Sequence, residues 1–285
     1  MKTVLKSIII KVTVAGIICL ASGMGAVAQT SYSPTAVDIT KTIHGPAQGS
    51  LIVIGGGTVV PEIWDRFIDL AGGKNARIVV VTNASGTEDY HSTAINELSS
   101  RLGKDRVTRL HLKDIDEAND DKLIECLKNA SGVYFSGGRQ WRISEIYLNT
   151  KAHREFFKLL ERGGVIAGSS AGASIQGSFL WRGDTTGSDI TVGDHTQGLG
   201  FMKYTVIDQH VLVRNRQHDL IAFIRSAPDY IGIGLDESTA IVVQGDCFEV
   251  IGKSYVAMHK ADVENFFFLR AGQLFDMKSF SIITE

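Results

Sequence analysis

The sequence predicts an α/β protein with a mostly parallel central sheet, helices on both faces and a smaller antiparallel C-terminal extension. Short, wholly apolar runs alternate along the chain with segments whose apolar residues recur every three or four positions. Continuous apolar strands are typical of a sheet buried on both faces, and strands that alternate with helices pair in parallel through right-handed crossovers. After about Gly232 the strand-like runs follow one another closely, which indicates antiparallel pairing.

The elements follow in order from residue 51. Apolar runs predict strands at residues 51–54, 77–82, 107–112, 133–135, 165–167, 205–210 and 231–235. Apolar stripes with helical spacing predict helices around residues 63–70, 95–102, 123–127 and 156–160. Ligand sites in such sheets lie beyond the carboxyl ends of the strands, so the residues that follow each strand are the candidates for function.

Composition places the chain among globular proteins. Of its 285 residues, 44% are hydrophobic and 21% are charged, and the formal net charge is −2. No block of Lys and Arg stands out, which argues against a nucleic-acid-binding surface. Cys126 and Cys247 lack metal-ligand spacing and are expected as two separate buried thiols. Residues 49–285 are interpreted as one domain.

The first 28 residues are predicted to be a secretory signal peptide. Three lysines accompany an apolar run at residues 12–20, and the small-x-small triplet Ala26-Val27-Ala28 follows. The apolar run is too short to cross a bilayer. Cleavage after Ala28 would also remove this run, so no stable membrane span is expected. We therefore expect export to the periplasm or the medium, with residues 29–48 as a linker or N-terminal arm.

The segment Gly168-Ser169-Ser170-Ala171-Gly172-Ala173 lies between a predicted strand and a helix-like run. A tight strand-turn-helix connection exposes one side chain and aims the next backbone N–H at a developing oxyanion, although a connector without chemistry has the same composition. A serine nucleophile needs a histidine base and a carboxylate that orients it. His210 and the pair Asp236-Glu237 each follow a predicted strand, so one edge of one sheet is expected to gather all three groups.

The glycine run at residues 55–57 also follows a strand, but it lacks the G-x-G-x-x-G spacing of a dinucleotide site. No nucleotide, metal or other cofactor is therefore predicted.

Five segments share their order and rough spacing with one enzyme family. They are Gly137-Gly138-x-Gln140, Ser169-Ser170-Ala171-Gly172-Ala173, Asp208-Gln209-His210, Arg214-x-Arg216 and residues 232–240. The likeness runs from about Gly49 to Val250. On these motifs the chain resembles the serine peptidase family of cyanophycinase and aspartyl dipeptidase, whose fold is similar to that of class I glutamine amidotransferases.

The resemblance implies an exopeptidase that releases β-aspartyl-arginine dipeptides from cyanophycin through an acyl-enzyme, and it makes a homodimer plausible. It implies that Ser170 is the nucleophile, His210 the base and Glu237 the orienting acid, with Asp236 as the competing candidate for the acid. The remaining implied site residues are the oxyanion-hole N–H groups of Gly138 and Ala171 and the substrate-binding residues Gln140, Asp208, Gln209, Arg214 and Arg216.

One position departs from the family pattern. Where a third arginine commonly follows Arg214-x-Arg216, this chain has Asp219. An acid there should repel a substrate carboxylate and attract an arginine head group, so Asp219 is expected to shift substrate preference. The alternative is an exposed acid at the start of a helix.

Two other functions stay open at this stage. The chain could be a related peptidase that acts on other aspartyl or isoaspartyl peptides. It could also be an inactive relative that captures acidic or arginine-bearing peptides, although such a binder has no need of a complete Ser-His-Glu set.

Overall fold

The computed structural model of the protein describes residues 43–87, 92–187 and 189–284. The predicted signal peptide and most of the predicted arm lie outside these residues. Within them, no helix is both long enough and apolar enough to cross a lipid bilayer. The end of the arm contacts the main domain, because the backbone N–H groups of Ile43, His44 and Gly45 donate to the Asp246 carboxylate.

The larger sheet has nine strands among the described residues, in the order β13-β12-β9-β8-β1-β5-β4-β2-β3. Five neighbouring strands of this sheet, β1, β5, β4, β2 and β3, pair in parallel. The strands β8, β9, β12 and β13 add an antiparallel half beyond β1. This arrangement confirms the predicted parallel centre and antiparallel extension. The strands are β1 Ser50–Ile54, β2 Ile78–Val81, β3 Val107–Leu110, β4 Gly132–Phe135, β5 Val165–Ser169, β8 Thr239–Gln244, β9 Cys247–Gly252, β12 Leu274–Asp276 and β13 Ser281–Ile283.

Both faces of β1, β2, β4 and β5 are buried, as their continuous apolar sequences predict, whereas the edge strand β3 exposes Thr108 and Arg109. Along β1, Leu51 and Val53 pack into one hydrophobic cluster, whereas Ile52 and Ile54 pack into a second cluster on the opposite face. This alternation follows from the two-residue repeat of a strand.

Helices cover both faces. The first two helices contribute to the cluster that contains Ile52, and the fourth and fifth contribute to the cluster that contains Leu51. The fourth helix was not predicted, because its apolar stripe is weak. The helices are α1 Pro61–Leu70, α2 Thr93–Leu102, α3 Glu125–Lys128, α4 Gln140–Tyr147, α5 Lys151–Glu161, α6 Ala171–Ser174 and α7 Leu220–Ser226.

A second, four-stranded sheet is present that the sequence did not predict. Its order is β11-β10-β7-β6, with β6 at Thr205–Gln209, β7 at Ile231–Leu235, β10 at Tyr255–His259 and β11 at Phe266–Arg270. Strands β6 and β7 pair in parallel, and the other two pairs are antiparallel. The expectation of one sheet edge for all three candidate catalytic groups is therefore wrong. The place beside β1 is taken by β8, so β6 and β7 join a separate sheet.

Cys126 and Cys247 are free thiols, as expected, although both are half-buried rather than fully buried. Burial raises the pKa of each thiol above its ordinary value, which lowers the fraction present as the reactive thiolate.

Candidate active site

Ser170 stands at a sharp turn between β5, which ends at Ser169, and α6, which begins at Ala171. Its φ of 56° and ψ of −113° form a conformation that non-glycine residues rarely adopt. Such strain persists where the surrounding structure imposes it, and it is common at functional sites. The turn exposes the Ser170 side chain, whereas Ser169 is buried at the end of the strand.

His210 follows the last residue of β6 and also has a positive φ, of 55°. Its backbone N–H donates to the carbonyl of Gly55, 2.9 Å away, which joins the second sheet to the loop after β1. Its Nε2 lies 2.9 Å from Ser170 Oγ, within hydrogen-bond distance.

Glu237 follows β7, and its Oε1 lies 2.5 Å from Nδ1 of His210. The neighbouring Asp236 points elsewhere. Its carboxylate accepts from the backbone N–H groups of Leu212 and Val213 and from the hydroxyl of Ser254. Asp236 thus stabilises the local backbone, and Glu237 is the acid that contacts the histidine.

The glycine run after β1 forms the floor under this histidine and acid. A Cβ on Gly56 would lie 2.3 Å from the His210 ring, and a Cβ on Gly57 would lie 2.5 Å from the Glu237 carboxylate. Both glycines have positive φ, of 115° and 65°. The run is therefore present because the backbone approaches two functional side chains closely, a role that sequence analysis did not identify.

Burial sets the charge state of the histidine. It lowers the pKa of His210 below the ordinary 6.5, an effect that the hydrogen bond to Glu237 opposes and the nearby charge of Arg214 reinforces. The imidazole is therefore neutral near pH 7 and able to accept a proton from the serine hydroxyl.

The two N–H groups implied for an oxyanion hole flank the serine. Ala171 follows Ser170 directly, and Gly138 lines the same cleft as the Ser170 side chain. Among the described residues, neither N–H is paired with a protein acceptor. Unpaired N–H groups at these two positions can donate to a negative oxygen that forms beside Ser170 Oγ.

A cleft of about 660 Å³ opens beside Ser170. Four of the substrate-binding residues implied by the resemblance line it, namely Gln140, Gln209, Arg214 and Arg216. Gln140 is nevertheless buried, and its amide donates to the carbonyl of Arg182. Its role in the structure is therefore at least partly to hold that loop.

Asp208, the fifth implied residue, is placed differently. Its side chain is 2% exposed and lies behind the cleft wall, with its carboxylate 3.2 Å from Nε of Arg182 and 3.9 Å from Nη1 of Arg216. Burial raises the pKa of Asp208, and the two guanidinium groups oppose that rise. Asp208 therefore supports the cationic wall and does not itself form the cleft surface.

The cleft is also lined by three arginines that were not predicted from the sequence, namely Arg139, Arg142 and Arg182. Arg139 and Arg142 flank Gln140 immediately after the Gly137-Gly138 turn, so the end of β4 was a signal for them. Arg182 belongs to a long connection without regular spacing and carries no such signal. Its guanidinium also donates to Asp219, which stands at the start of α7. The alternative of a fully solvated helix-start acid does not describe Asp219.

A second cleft, of about 410 Å³, also borders the serine. Ser170 borders both clefts, while Ser169, Trp64 and Tyr134 border only the second.

Comparison with known proteins identifies a family. The profile described as Peptidase family S51 matches residues 51–251. The chain is 29% identical over 218 residues to a cyanophycinase of Geminocystis herdmanii, covering 74% of this chain and 80% of that protein. It is 30% identical over 202 residues to a cyanophycinase of Trichormus variabilis, covering 69% and 67% of the two chains.

Two solved structures share the fold. A peptidase from an acI-B1 Actinobacterium superposes with a TM-score of 0.62 at 23% identity, covering 80% of this chain and 97% of that one. A putative peptidase E protein from Listeria monocytogenes gives a TM-score of 0.50 at 14% identity, covering 72% and 99%. Both likenesses concern the fold, and they confirm the predicted α/β class.

Proposed function

Because the chain belongs to peptidase family S51 and is a peptide hydrolase, we propose that it works as a serine peptidase with Ser170, His210 and Glu237 as its catalytic triad. The observation that supports this proposal is the hydrogen-bonded series from Ser170 Oγ to His210 Nε2, and from His210 Nδ1 to Glu237 Oε1, at 2.9 and 2.5 Å. Three separate chain segments supply these groups.

In the proposed mechanism, Ser170 Oγ attacks the scissile carbonyl carbon while its proton passes to Nε2 of His210. Glu237 stabilises the imidazolium that results, and the N–H groups of Gly138 and Ala171 bind the oxyanion. The carbon–nitrogen bond then breaks as His210 returns the proton to the leaving amine, which leaves an ester on Ser170. Water attacks the ester carbon while its proton passes to His210, and His210 then gives that proton to Ser170 Oγ as the ester bond breaks and the carboxylic acid leaves.

We propose isoaspartyl peptides, including the β-aspartyl-arginine units of cyanophycin, as the substrates of an exopeptidase reaction. The relatives named cyanophycinase and the arginine-rich cleft support this class, since guanidinium groups bind carboxylates in a bidentate manner. The second candidate is a related peptidase without activity on cyanophycin. The ion pair between Asp219 and Arg182 favours it, because that pair alters the charge pattern of the cleft.

The test is incubation of the protein with purified cyanophycin and a panel of isoaspartyl dipeptides, with the products identified by mass spectrometry. Release of β-aspartyl-arginine is the expected result, and Ser170→Ala is the blank. Products from the isoaspartyl panel but not from cyanophycin would favour the second candidate. No product from either set would contradict the proposed function.

An inactive peptide-binding relative is distinguished by a fluorophosphonate probe. A triad serine should be labelled at Ser170, because His210 activates its hydroxyl, and the Ser170→Ala variant should stay unlabelled. Equal labelling of the two proteins would show that the serine is not activated.

A further inference from the structure

Arg182 forms part of the wall of the larger cleft although it lies outside every motif of the family. It belongs to the connection between α6 and β6, and its side chain is 5% exposed. The amide of Gln140 fixes its backbone carbonyl, and two carboxylates contact its guanidinium. A long, rotamer-rich side chain is thereby held in one position.

The two carboxylates hold the guanidinium from different elements. Nε of Arg182 donates to both oxygens of Asp208, at 3.2 and 3.3 Å, and the other end of the group donates to Asp219. A buried ion pair of this kind contributes little net stability, because desolvation of both charges offsets their attraction. Its value lies in preorganisation, since a fixed side chain loses less entropy when a ligand binds.

The charge of the cleft wall is strongly positive. Five arginines line it, and among the described residues no Asp or Glu does, because Asp208 and Asp219 stand behind the wall. Asp219 is therefore directed at Arg182 and not at a substrate cation, which differs from the attraction of an arginine head group expected from its sequence position.

We propose that the Arg182–Asp219 pair determines substrate specificity: Asp219 positions the Arg182 guanidinium, which binds a carboxylate of the substrate in the larger cleft. This proposal rests on the proposed function, because it requires the peptide substrate to bind in the larger cleft. Arg182 contacts the substrate directly, and Asp219 is a positioning residue that acts through it.

The test compares peptides that differ only by a carboxylate. β-Aspartyl-leucine is paired with its C-terminal amide and, separately, with the analogue whose aspartyl α-carboxylate is a carboxamide. Dissociation constants are measured by calorimetry in the Ser170→Ala background, which binds without turnover. In the otherwise unchanged protein, β-aspartyl-leucine should bind at least about tenfold more tightly than one of its two amide analogues.

Arg182→Gln should abolish that preference, and Asp219→Asn should reduce it several-fold, with little change for the amide peptides. Asp219→Glu should keep most of the preference for the acid peptide, because the carboxylate is retained. The double variant should behave like Arg182→Gln alone, since Asp219 acts through the arginine. The matched control is Arg225→Gln, which removes an exposed arginine from α7 outside the cleft. With active enzyme, the same substitutions should raise KM for the acid peptides more than they lower kcat.

Unchanged acid-to-amide ratios at both carboxylates in Arg182→Gln and Asp219→Asn would overturn the proposal, as would the absence of any preference for an acid form. Thermal unfolding of each variant identifies a misfolded one, and Asp219→Asn serves where Arg182→Gln does not fold. If the enzyme hydrolyses peptides but the ratios of acid to amide dissociation constants stay unchanged in the variants, only the proposal for Arg182 and Asp219 is contradicted. Altered ratios without any hydrolysis would contradict the proposed function and leave this inference standing.

Discussion

Ser170 borders both clefts, and its neighbour Ser169 is buried at the end of β5 and borders only the smaller one. Ser170→Ala should therefore lower kcat by at least about 10³-fold, because the nucleophile and its acyl-enzyme are lost. Ser169→Ala should retain most of the activity. Steady-state kinetics on an isoaspartyl dipeptide measures both. An inactive Ser169→Ala beside an active Ser170→Ala would move the nucleophile by one residue.

Glu237 and Asp236 are adjacent but contact different partners, which makes them a matched pair. Glu237→Gln should lower kcat on the order of 10²-fold with little change in KM, because the imidazolium loses its orienting charge. Asp236→Asn should leave kcat nearly unchanged. It should instead lower the free energy of unfolding by about 1 kcal/mol, because a neutral amide oxygen accepts the backbone N–H groups of Leu212 and Val213 more weakly than the carboxylate does. The reverse pattern would make Asp236 the catalytic acid.

The lowered pKa of His210 gives a pH profile with a definite sign. The neutral imidazole is the active form, so kcat/KM should rise with pH as His210 loses its proton and should then level off. The midpoint of this rise should lie below pH 6.5. The hydrogen bond that Glu237 accepts from Nδ1 of His210 raises this pKa, so Glu237→Gln should move the midpoint to lower pH still. A midpoint above 6.5, or a shift to higher pH in the variant, would contradict the electrostatic account.

At the scale of residues, the sequence predicted the contents of the site better than their directions. Serine, histidine and acid were found because each follows an apolar strand. The orientation of Asp208 behind the cleft depends on Arg182, a residue that lies 26 positions away and carries no pattern of its own. Ion pairs between distant segments leave no local signal, and that is why Arg182 and the partner of Asp219 were not predicted.

The loop after β1 shows how a single element positions two side chains from another sheet. Gly57→Ala should lower kcat by roughly 10²-fold, because a Cβ there would displace the Glu237 carboxylate, and misplacement by about 1 Å has effects of that size. The control is Gly73→Ala. Gly73 has a similar φ, of 63° against 65°, but a Cβ on it would meet nothing within 4 Å.

Both substitutions impose a left-handed conformation on alanine, at a cost of about 1–2 kcal/mol in stability. Only Gly57→Ala should affect kinetics, and denaturant unfolding of both variants separates the two effects. Equal activity of Gly57→Ala and Gly73→Ala would show that the close approach to Glu237 has no influence on catalysis.

At the scale of elements, the strands of the parallel half and the helices α1 and α2 were predicted within about two residues of their observed bounds, whereas α5 begins five residues before its predicted start. Their periodicity is local, so a short window of sequence contains it. The partner of a strand is not local information. The strands β6 and β7 are as apolar as β1 and β5, and nothing in their residues states that they form a second sheet with β10 and β11.

At the scale of the whole molecule, charge is distributed unevenly. The formal net charge is −2, yet five arginines gather in one cleft. Composition did not predict this cluster, because a total charge conceals a local concentration of one sign. Such a concentration raises the local density of anionic ligands and is weakened by salt.

The location of the protein is also a property of the whole chain, and it depends on residues outside the described part. We propose export with cleavage after Ala28, supported by the lysines, the apolar run at residues 12–20 and the triplet Ala26-Val27-Ala28. Protein recovered from the periplasm or medium should begin at Gln29 on N-terminal sequencing. Ala28→Leu should block processing, because signal peptidase requires a small residue there, whereas Ala36→Leu should not. Cytoplasmic protein that retains Met1, with no change in processing for Ala28→Leu, would contradict export.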